Sequence, residues 1–303
     1  MSTNDITVGF VGLGHMGGPM AANLAKAGYV VKGFDLVPAA LEQARRDGIT
    51  VVDSAALAAT DADVVVTMLP SGKHVLDLYE GGLLTAARQG TLFVDSSTID
   101  VADARAAHEL AEQAGHRSVD APVSGGVMGA AAGTLAFMVG GADEDFEAAR
   151  PLLEVMGRKV VHCGGPGVGQ AAKICNNMIL GVSMIAISEA FVLGEKLGLS
   201  NQALFDVASN ASGQCWALTT NCPVPGPVPA SPANNDYQPG FAAALMDKDL
   251  GLAANALRAN GVDAELGMRA AELYRRFHET GHGGEDFSAI IRDIRDRSNG
   301  ETR

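Results

Sequence analysis

The sequence is short of cysteine, short of aromatics and short of positive charge, and each shortage closes off a class of protein. The four cysteines, Cys163, Cys175, Cys215 and Cys222, form no C-x-x-C pair, and no histidine cluster joins them at ligand spacing. Neither a metal site nor a disulfide framework is encoded, and the thiols suit a reducing compartment. Lysine and arginine total 22 against 35 acidic residues, for a formal charge of -13. So acidic a chain is repelled by phosphates, which argues against nucleic acid and anionic membrane as partners. The opening MSTNDITVGF lacks a basic start and a signal-type apolar run. Apolar stretches such as 178–187 are too short to span a bilayer and are soon followed by charge. The expectation is a soluble, cytoplasmic protein.

What is present is apolar material in a repeating order. At 47% hydrophobic over 303 residues, the chain can fill one large core or two ordinary ones. Strand-length runs at 6–11, 30–35, 64–69 and 92–95 alternate with helix-like stretches at 16–27, 38–47, 75–84 and 101–115. Residues 119, 135–139 and 159–163 add later strands. This alternation predicts an α/β fold with a doubly wound, mostly parallel sheet covered by helices on both faces. The breaker cluster Gly164-Gly165-Pro166-Gly167 then places a boundary near residue 165. Residues 1–165 form the first domain, and 166–303 form an all-helical second one. Within the second, 170–197 reads as one long helix, apolar nearly all round, that calls for burial between domains or between subunits. Further helices are expected at 201–210, 240–260, 264–280 and 287–297. The six prolines between 222 and 239 make that stretch an extended loop.

Gly12-Leu13-Gly14-His15-Met16-Gly17 is a G-x-G-x-x-G between the first strand and the first helix. The first glycine permits a tight turn, and the second lets a pyrophosphate approach the backbone. The third allows helix and strand to pack closely, with the phosphates at the helix N-terminus. The strand before, the helix after and Asp35 about 20 residues on make this the Rossmann dinucleotide fingerprint rather than a plain glycine turn. Asp35 can accept hydrogen bonds from ribose hydroxyls and would repel a 2′-phosphate; Leu36, Val37 and Pro38 follow it with no arginine, so NAD is preferred over NADP. An ordinary strand-end aspartate would leave that preference open.

Lys173 and Asn177, four residues apart near the start of the long helix, share a helical face. An amine whose charged form is disfavoured by partial burial can take a hydroxyl proton as hydride leaves carbon, and return it in reduction. A lone Lys-Asn pair usually marks a solvated face, but Ile174, Cys175 and Met178 make this neighbourhood apolar. Ser124-Gly125-Gly126 offers backbone N–H groups that can form an anion nest for a carboxylate, and it serves equally well as a tight turn after a strand.

Several motifs in this order resemble the β-hydroxyacid dehydrogenases over nearly the whole chain. They are residues 11–17, Asp95-Ser96-Ser97-Thr98-Ile99-Asp100, residues 120–126, Gly133-Thr134-Leu135, residues 169–177 and Lys248-Asp249-Leu250. The resemblance implies a Rossmann domain followed by a helical domain, with Lys173 as acid/base, Asn177 assisting it, and Ser124, Gly125 and Gly126 binding a substrate carboxylate. It implies that Leu69, Pro70, Thr98 and Lys248 line the NAD site, and that the protein is a homodimer or homotetramer. Residues 215–226 and 231–241 point within the family to the branch that oxidises the small hydroxy acid 3-hydroxyisobutyrate to methylmalonate semialdehyde in valine degradation. Trp216, the only tryptophan, either walls the substrate pocket or is a core or interface aromatic. His74 stands where relatives carry an asparagine that contacts nucleotide, and Cys222 is an extra residue inside an Asn-Pro-Val-Pro-Gly pattern. The mitochondrial extension of animal relatives is missing, which implies a cytoplasmic enzyme of bacterial type. Rivals of the same fold are tartronate-semialdehyde and glyoxylate/succinate-semialdehyde reductases, which often prefer NADP. A catalytically inactive NAD-binding assembly module is a rival of another class, and the presence of Lys173 speaks against it.

Overall fold

Strands in the first half are apolar on both sides, so each side needs its own cover. In the computed structural model, which describes residues 6–300, they form one nine-stranded sheet. Its strands are β1 (Thr7–Val11), β2 (Val30–Phe34), β3 (Thr50–Val51), β4 (Val64–Thr67), β5 (Leu92–Asp95), β6 (Arg117–Asp120), β7 (Val123–Ser124), β8 (Leu135–Gly140) and β9 (Gly157–Gly164). The order is β3-β2-β1-β4-β5-β6-β8-β7, with β9 paired to β8. From β3 to β6 all pairs are parallel, whereas β8 runs antiparallel to β6 and β7. The chain winds outward from β1 to β3, then returns to place β4 on the other side of β1. A crevice therefore opens at the C-terminal ends of β1 and β4, where the strand order reverses.

The covering helices are α1 (Gly17–Lys26), α2 (Pro38–Arg46), α3 (Ala55–Ala59), α4 (Gly72–Leu78), α5 (Leu84–Ala86), α6 (Val101–Gln113), α7 (Gly126–Ala132) and α8 (Asp143–Met156). On one side, Met20, Leu24, Phe146 and Leu153 pack with Val8, Phe10 and Val94. On the other, Ala58, Val75, Leu83 and Ala107 pack with Val65 and Phe93. Neighbouring residues of one strand thus feed opposite cores, as the two-residue period requires.

Helix α8 is absent from the sequence expectation. Pro151 lies inside it and reads as a breaker. Five buried side chains from Phe146 to Met156 outweigh that cost, and Asp143, Glu144 and Asp145 favour its N-terminus. Helix α3 is also additional: five residues, mostly alanine, started by Ser54 Oγ accepting from Leu57 N at 3.2 Å.

The second half is helical: α9 (Val168–Lys196), α10 (Asn201–Ala208), α11 (Trp216–Thr219), α12 (Ala243–Ala259), α13 (Glu265–Phe277) and α14 (Ile290–Ser298). Two compact units divide between Lys173 and Ile174, inside α9, and the 164–167 breaker cluster directly precedes that helix. At 29 residues, α9 is long and apolar enough to cross a membrane by length and composition, which the shorter run at 178–187 does not suggest. In the structure, 44% of its most apolar window is buried, with Met184, Phe191 and Val192 in the helical core. The proline-rich loop is pinned by buried Asp286, which accepts from Asn221 Nδ2 (3.0 Å), Ser288 Oγ (2.6 Å) and the backbone N–H groups of Gly240 and Phe241 (both 3.1 Å).

Because Trp216 is the sole tryptophan, its fluorescence reports the helical unit. Phe277→Ala empties a fully buried site in that core and is expected to destabilise it by about 3–5 kcal/mol. The exposed Leu266→Ala is expected to stay within about 0.5 kcal/mol. Urea unfolding followed by tryptophan emission checks both.

Candidate active site

Three glycines of the first loop do three different jobs. Gly12 has φ +96, and a Cβ there would strike the Met68 carbonyl. A Cβ on Gly17 would strike the Gly12 carbonyl, so α1 can start only against a bare residue. Gly14 is exposed, and a Cβ on it would meet nothing within 4 Å. No side chain caps α1, which leaves its first-turn N–H groups to an incoming anion. Tight packing below and bare backbone above make a cradle that fits a pyrophosphate. Leu13 is buried beneath the loop, His15 is exposed and Met16 is half-buried.

Asp35, just past β2, does more than the sequence suggests. Its Oδ2 accepts from Leu13 N at 2.6 Å, and its Oδ1 accepts from Val37 N at 2.8 Å. It therefore ties the glycine loop to the end of β2, and each oxygen keeps a lone pair for a ribose hydroxyl. Leu36 and Val37 beside it are 85% and 55% exposed, so the next two side chains bring no cation to hold a 2′-phosphate.

The loops after β4 and β5 hang from one acid that sequence reasoning did not single out. Buried Asp95 accepts from Thr67 Oγ1 at 2.7 Å and Ser97 Oγ at 2.6 Å, and Ser97 Oγ in turn accepts from Leu69 N at 2.8 Å. This chain fixes half-buried Leu69, exposed Pro70 and half-buried Thr98 at the reversal of strand order. Burial pushes the Asp95 carboxyl up, and nearby Asp120 adds to the shift against the hydroxyl donors. Its Oδ2 has no partner. His74 on α4 is exposed, with Nδ1 2.7 Å from Ser71 Oγ.

Lys173 lies in the second turn of α9 and is 6% exposed. Upstream, Asp120 at the end of β6 accepts from Gly167 N and Gln170 N, both at 2.8 Å. Gln170 Oε1 accepts from Ile99 N, and its Nε2 donates to Ser97 O. The helix start is thus fastened to the ends of β5 and β6. In the turn after β7, Gly125 and Gly126 have φ +134 and +62, a conformation that side-chain-bearing residues rarely adopt. Ser124 there is half-buried.

In the helical unit, Asn177 is buried one turn beyond Lys173, and its Nδ2 donates to buried Asp249 of α12 at 2.5 Å. A carboxylate only accepts, so Asp249 forces the amide's NH2 toward itself; Asn177 Oδ1 accepts from Asn176 Nδ2 at 3.0 Å. Lys248 is half-buried beside Asp249. Trp216 opens α11 and is 52% exposed, so it is not a core aromatic of this chain. Asp95, Asp120, Gln170 and Asp249 are the polar residues missed as site residues. For Asp95 the available signal was an acid closing the apolar run 92–95; Arg117-Ser118-Val119 before Asp120 carries no such signal.

Two family models cover the chain: the NAD binding domain of 6-phosphogluconate dehydrogenase over residues 7–165, and the NAD-binding domain of NADP-dependent 3-hydroxyisobutyrate dehydrogenase over 167–294. A solved structure of Mycobacterium tuberculosis 3-hydroxyisobutyrate dehydrogenase with L-serine is 59% identical, with a TM-score of 0.93 over 96% of this chain and 99% of that one. The chain belongs to the 3-hydroxyisobutyrate dehydrogenase family. Human mitochondrial 3-hydroxyisobutyrate dehydrogenase is 44% identical over 95% of this chain and 87% of its own. The NAD-dependent L-serine dehydrogenase of Pseudomonas aeruginosa is 47% identical over 93% and 96%. This family member is therefore an NAD-dependent oxidoreductase, and its Rossmann sheet and helical second half match the expected architecture.

Two outcomes follow for the dehydrogenase. Gly14→Ala meets no protein atom, so its melting temperature should match wild type while the Kd for NAD rises at least about tenfold, read by isothermal titration. Asp95 holds its proton to higher pH in the folded chain than in the unfolded one. The stability this contributes is complete below the unfolded value, about pH 4, and is lost as pH rises through the folded value. Asp95→Asn should flatten that decline in a series of urea midpoints at increasing pH.

Proposed function

We propose that this dehydrogenase oxidises (S)-3-hydroxyisobutyrate to methylmalonate semialdehyde, the reaction of valine breakdown. The observation that carries the reading is Lys173, an amine 6% exposed on a helix start fastened to the ends of two strands. NAD, when bound, supplies the acceptor for the hydride leaving the substrate's C3. Lys173 Nζ, in its neutral form, takes the proton from the C3 hydroxyl as the C–H bond breaks, and carbon and oxygen become a carbonyl. The product is the aldehyde, and the lysine leaves the step as an ammonium. The Ser124–Gly126 turn receives the carboxylate. Asn177, its amide oriented by Asp249, holds the lysine or the substrate in place. Gly12 to Gly17, Asp35, Leu69, Pro70 and Thr98 hold the nucleotide, with His74 and Lys248 as further contacts. Trp216 walls the substrate pocket.

A second substrate has specific support. One relative is named an L-serine dehydrogenase, and the Mycobacterium tuberculosis structure carries L-serine. Serine is also a 3-hydroxy acid; it bears an ammonium on C2 where hydroxyisobutyrate bears a methyl, so the same base and carboxylate turn serve both. We further propose a cytoplasmic homodimer or homotetramer. Four free thiols support the compartment, and exposed Ile179, Leu193 and Leu197 along and just past α9 support a second copy there.

NADH absorbance with a panel of hydroxy acids, on wild type and Lys173→Ala, tests the scheme. Wild type should turn over 3-hydroxyisobutyrate, and Lys173→Ala should lose about 10²–10⁴ in kcat with NAD binding intact. Turnover of L-serine alone would replace the substrate and keep the chemistry. Full activity in Lys173→Ala would overturn the assignment of the base.

A further inference from the structure

Lys173 can serve only if its turn of α9 is held still, and the groups that hold it lie far away in sequence. Asp120 is 2% exposed and spends its two oxygens on three donors. Oδ1 accepts from Gly167 N at 2.8 Å and lies 3.0 Å from His108 Nε2, while Oδ2 accepts from Gln170 N at 2.8 Å. Ser118 Oγ lies 2.7 Å from His108 Nδ1, so the imidazole is itself fixed. With Nε2–H donating to Asp120, Nδ1 accepts from the serine hydroxyl. The result is a helix start capped by a carboxylate from the end of β6 rather than by its own preceding residue.

Gln170 secures the same turn from another direction. It is fully buried; its Oε1 accepts from Ile99 N at 3.1 Å and its Nε2 donates to Ser97 O at 2.7 Å. Both amide atoms are thus spent on the residues flanking Thr98. The joint has no slack: a Cβ on Gly169 would fall 2.7 Å from both the carbonyl oxygen and Oδ2 of Asp120. Lys173 follows Gln170 by three residues, which makes the two neighbours on the helix surface.

We propose that Asp120 and Gln170 are positioning residues for Lys173. Together they set where the amine stands relative to the Thr98 segment, and neither touches substrate or cofactor. This rests on Lys173 being the acid/base. Misplacing a reacting group by about 1 Å costs on the order of 100-fold in rate, so weakening either clamp should slow the chemical step more than it weakens binding.

The test uses the full chain with Asp120→Ala, Asp120→Asn and Gln170→Ala, each alone and combined with Lys173→Ala, on whichever hydroxy acid wild type turns over. The single variants should lose about 10- to 100-fold in kcat, with the Kd for NAD within about twofold of wild type. Asp120→Asn, which keeps one acceptor oxygen, should recover part of the loss. The primary deuterium isotope effect on kcat should rise as hydride transfer becomes slower. Hydrogen exchange should quicken in the peptide over 165–175 and, for Gln170→Ala, also at Ile99, whose N–H loses its acceptor, and nowhere else. In the Lys173→Ala background the same substitutions should cost nothing more. Unchanged kcat, exchange quickened throughout the unit, or losses that add to those of Lys173→Ala would each overturn the proposal. Should Asp120→Ala fail to fold, Asp120→Asn and Gln170→Ala carry the same readouts. Full activity in Lys173→Ala alone would instead sink the acid/base reading on which this one stands.

Discussion

Two buried acids, Asp95 and Asp120, stand opposite each other in the register of β5 and β6, and the polar architecture of the first unit is arranged around supplying them with donors. Taking a carboxylate out of water is costly unless hydrogen bonds replace the lost solvent. The supply is unequal. Asp120 receives an imidazole and two backbone N–H groups, whereas Asp95 receives hydroxyls and a long backbone contact on one oxygen and nothing on the other. What each acid holds differs accordingly. Asp95 organises the loops after β4 and β5, where the nucleotide is proposed to lie; Asp120 organises the helix that carries the proposed base. The apolar cores on the two faces set where the strands run, and the acids set where their ends point.

Much of this was legible beforehand, because periodicity and breakers are local signals. The strand runs, the glycine loop, Asp35 and the long helix all announce themselves within a few residues of where they act. Helix α8 did not, since Pro151 reads as a stop until Phe146 and Leu153 are seen filling the core against Met20 and Val94. The partners of the site residues were harder still. Asp249 meets Asn177 across 72 positions, and Gln170 meets Ser97 across 73. Nothing local distinguishes such residues from ordinary polar positions. Motif resemblance marked Asp95, Asp120 and Asp249 as parts of longer patterns without saying what they do.

The helical unit follows another logic. Its core is aromatic and aliphatic, with Phe191, Tyr274, Phe277 and Phe287 all buried, and its long loop is stiffened by proline rather than by regular structure. Asp286 gathers that loop by three donors at its two ends, from Asn221, Gly240 and Phe241, and Tyr237, at φ +53, anchors it by donating its hydroxyl to Pro223 O at 2.8 Å. A loop so restrained is held to one shape.

The hold of Asp35 on the glycine loop has a consequence for any change of cofactor. Dehydrogenases exchange NAD for NADP most simply by replacing the acid after the second strand, and where that acid does nothing else the exchange is a single step. Here the same carboxylate buckles the glycine loop through Leu13 N. A replacement that welcomes the extra phosphate also unfastens the loop proposed to receive the pyrophosphate. A change of cofactor preference in this chain therefore asks for a compensating change in the loop as well as a replacement at position 35.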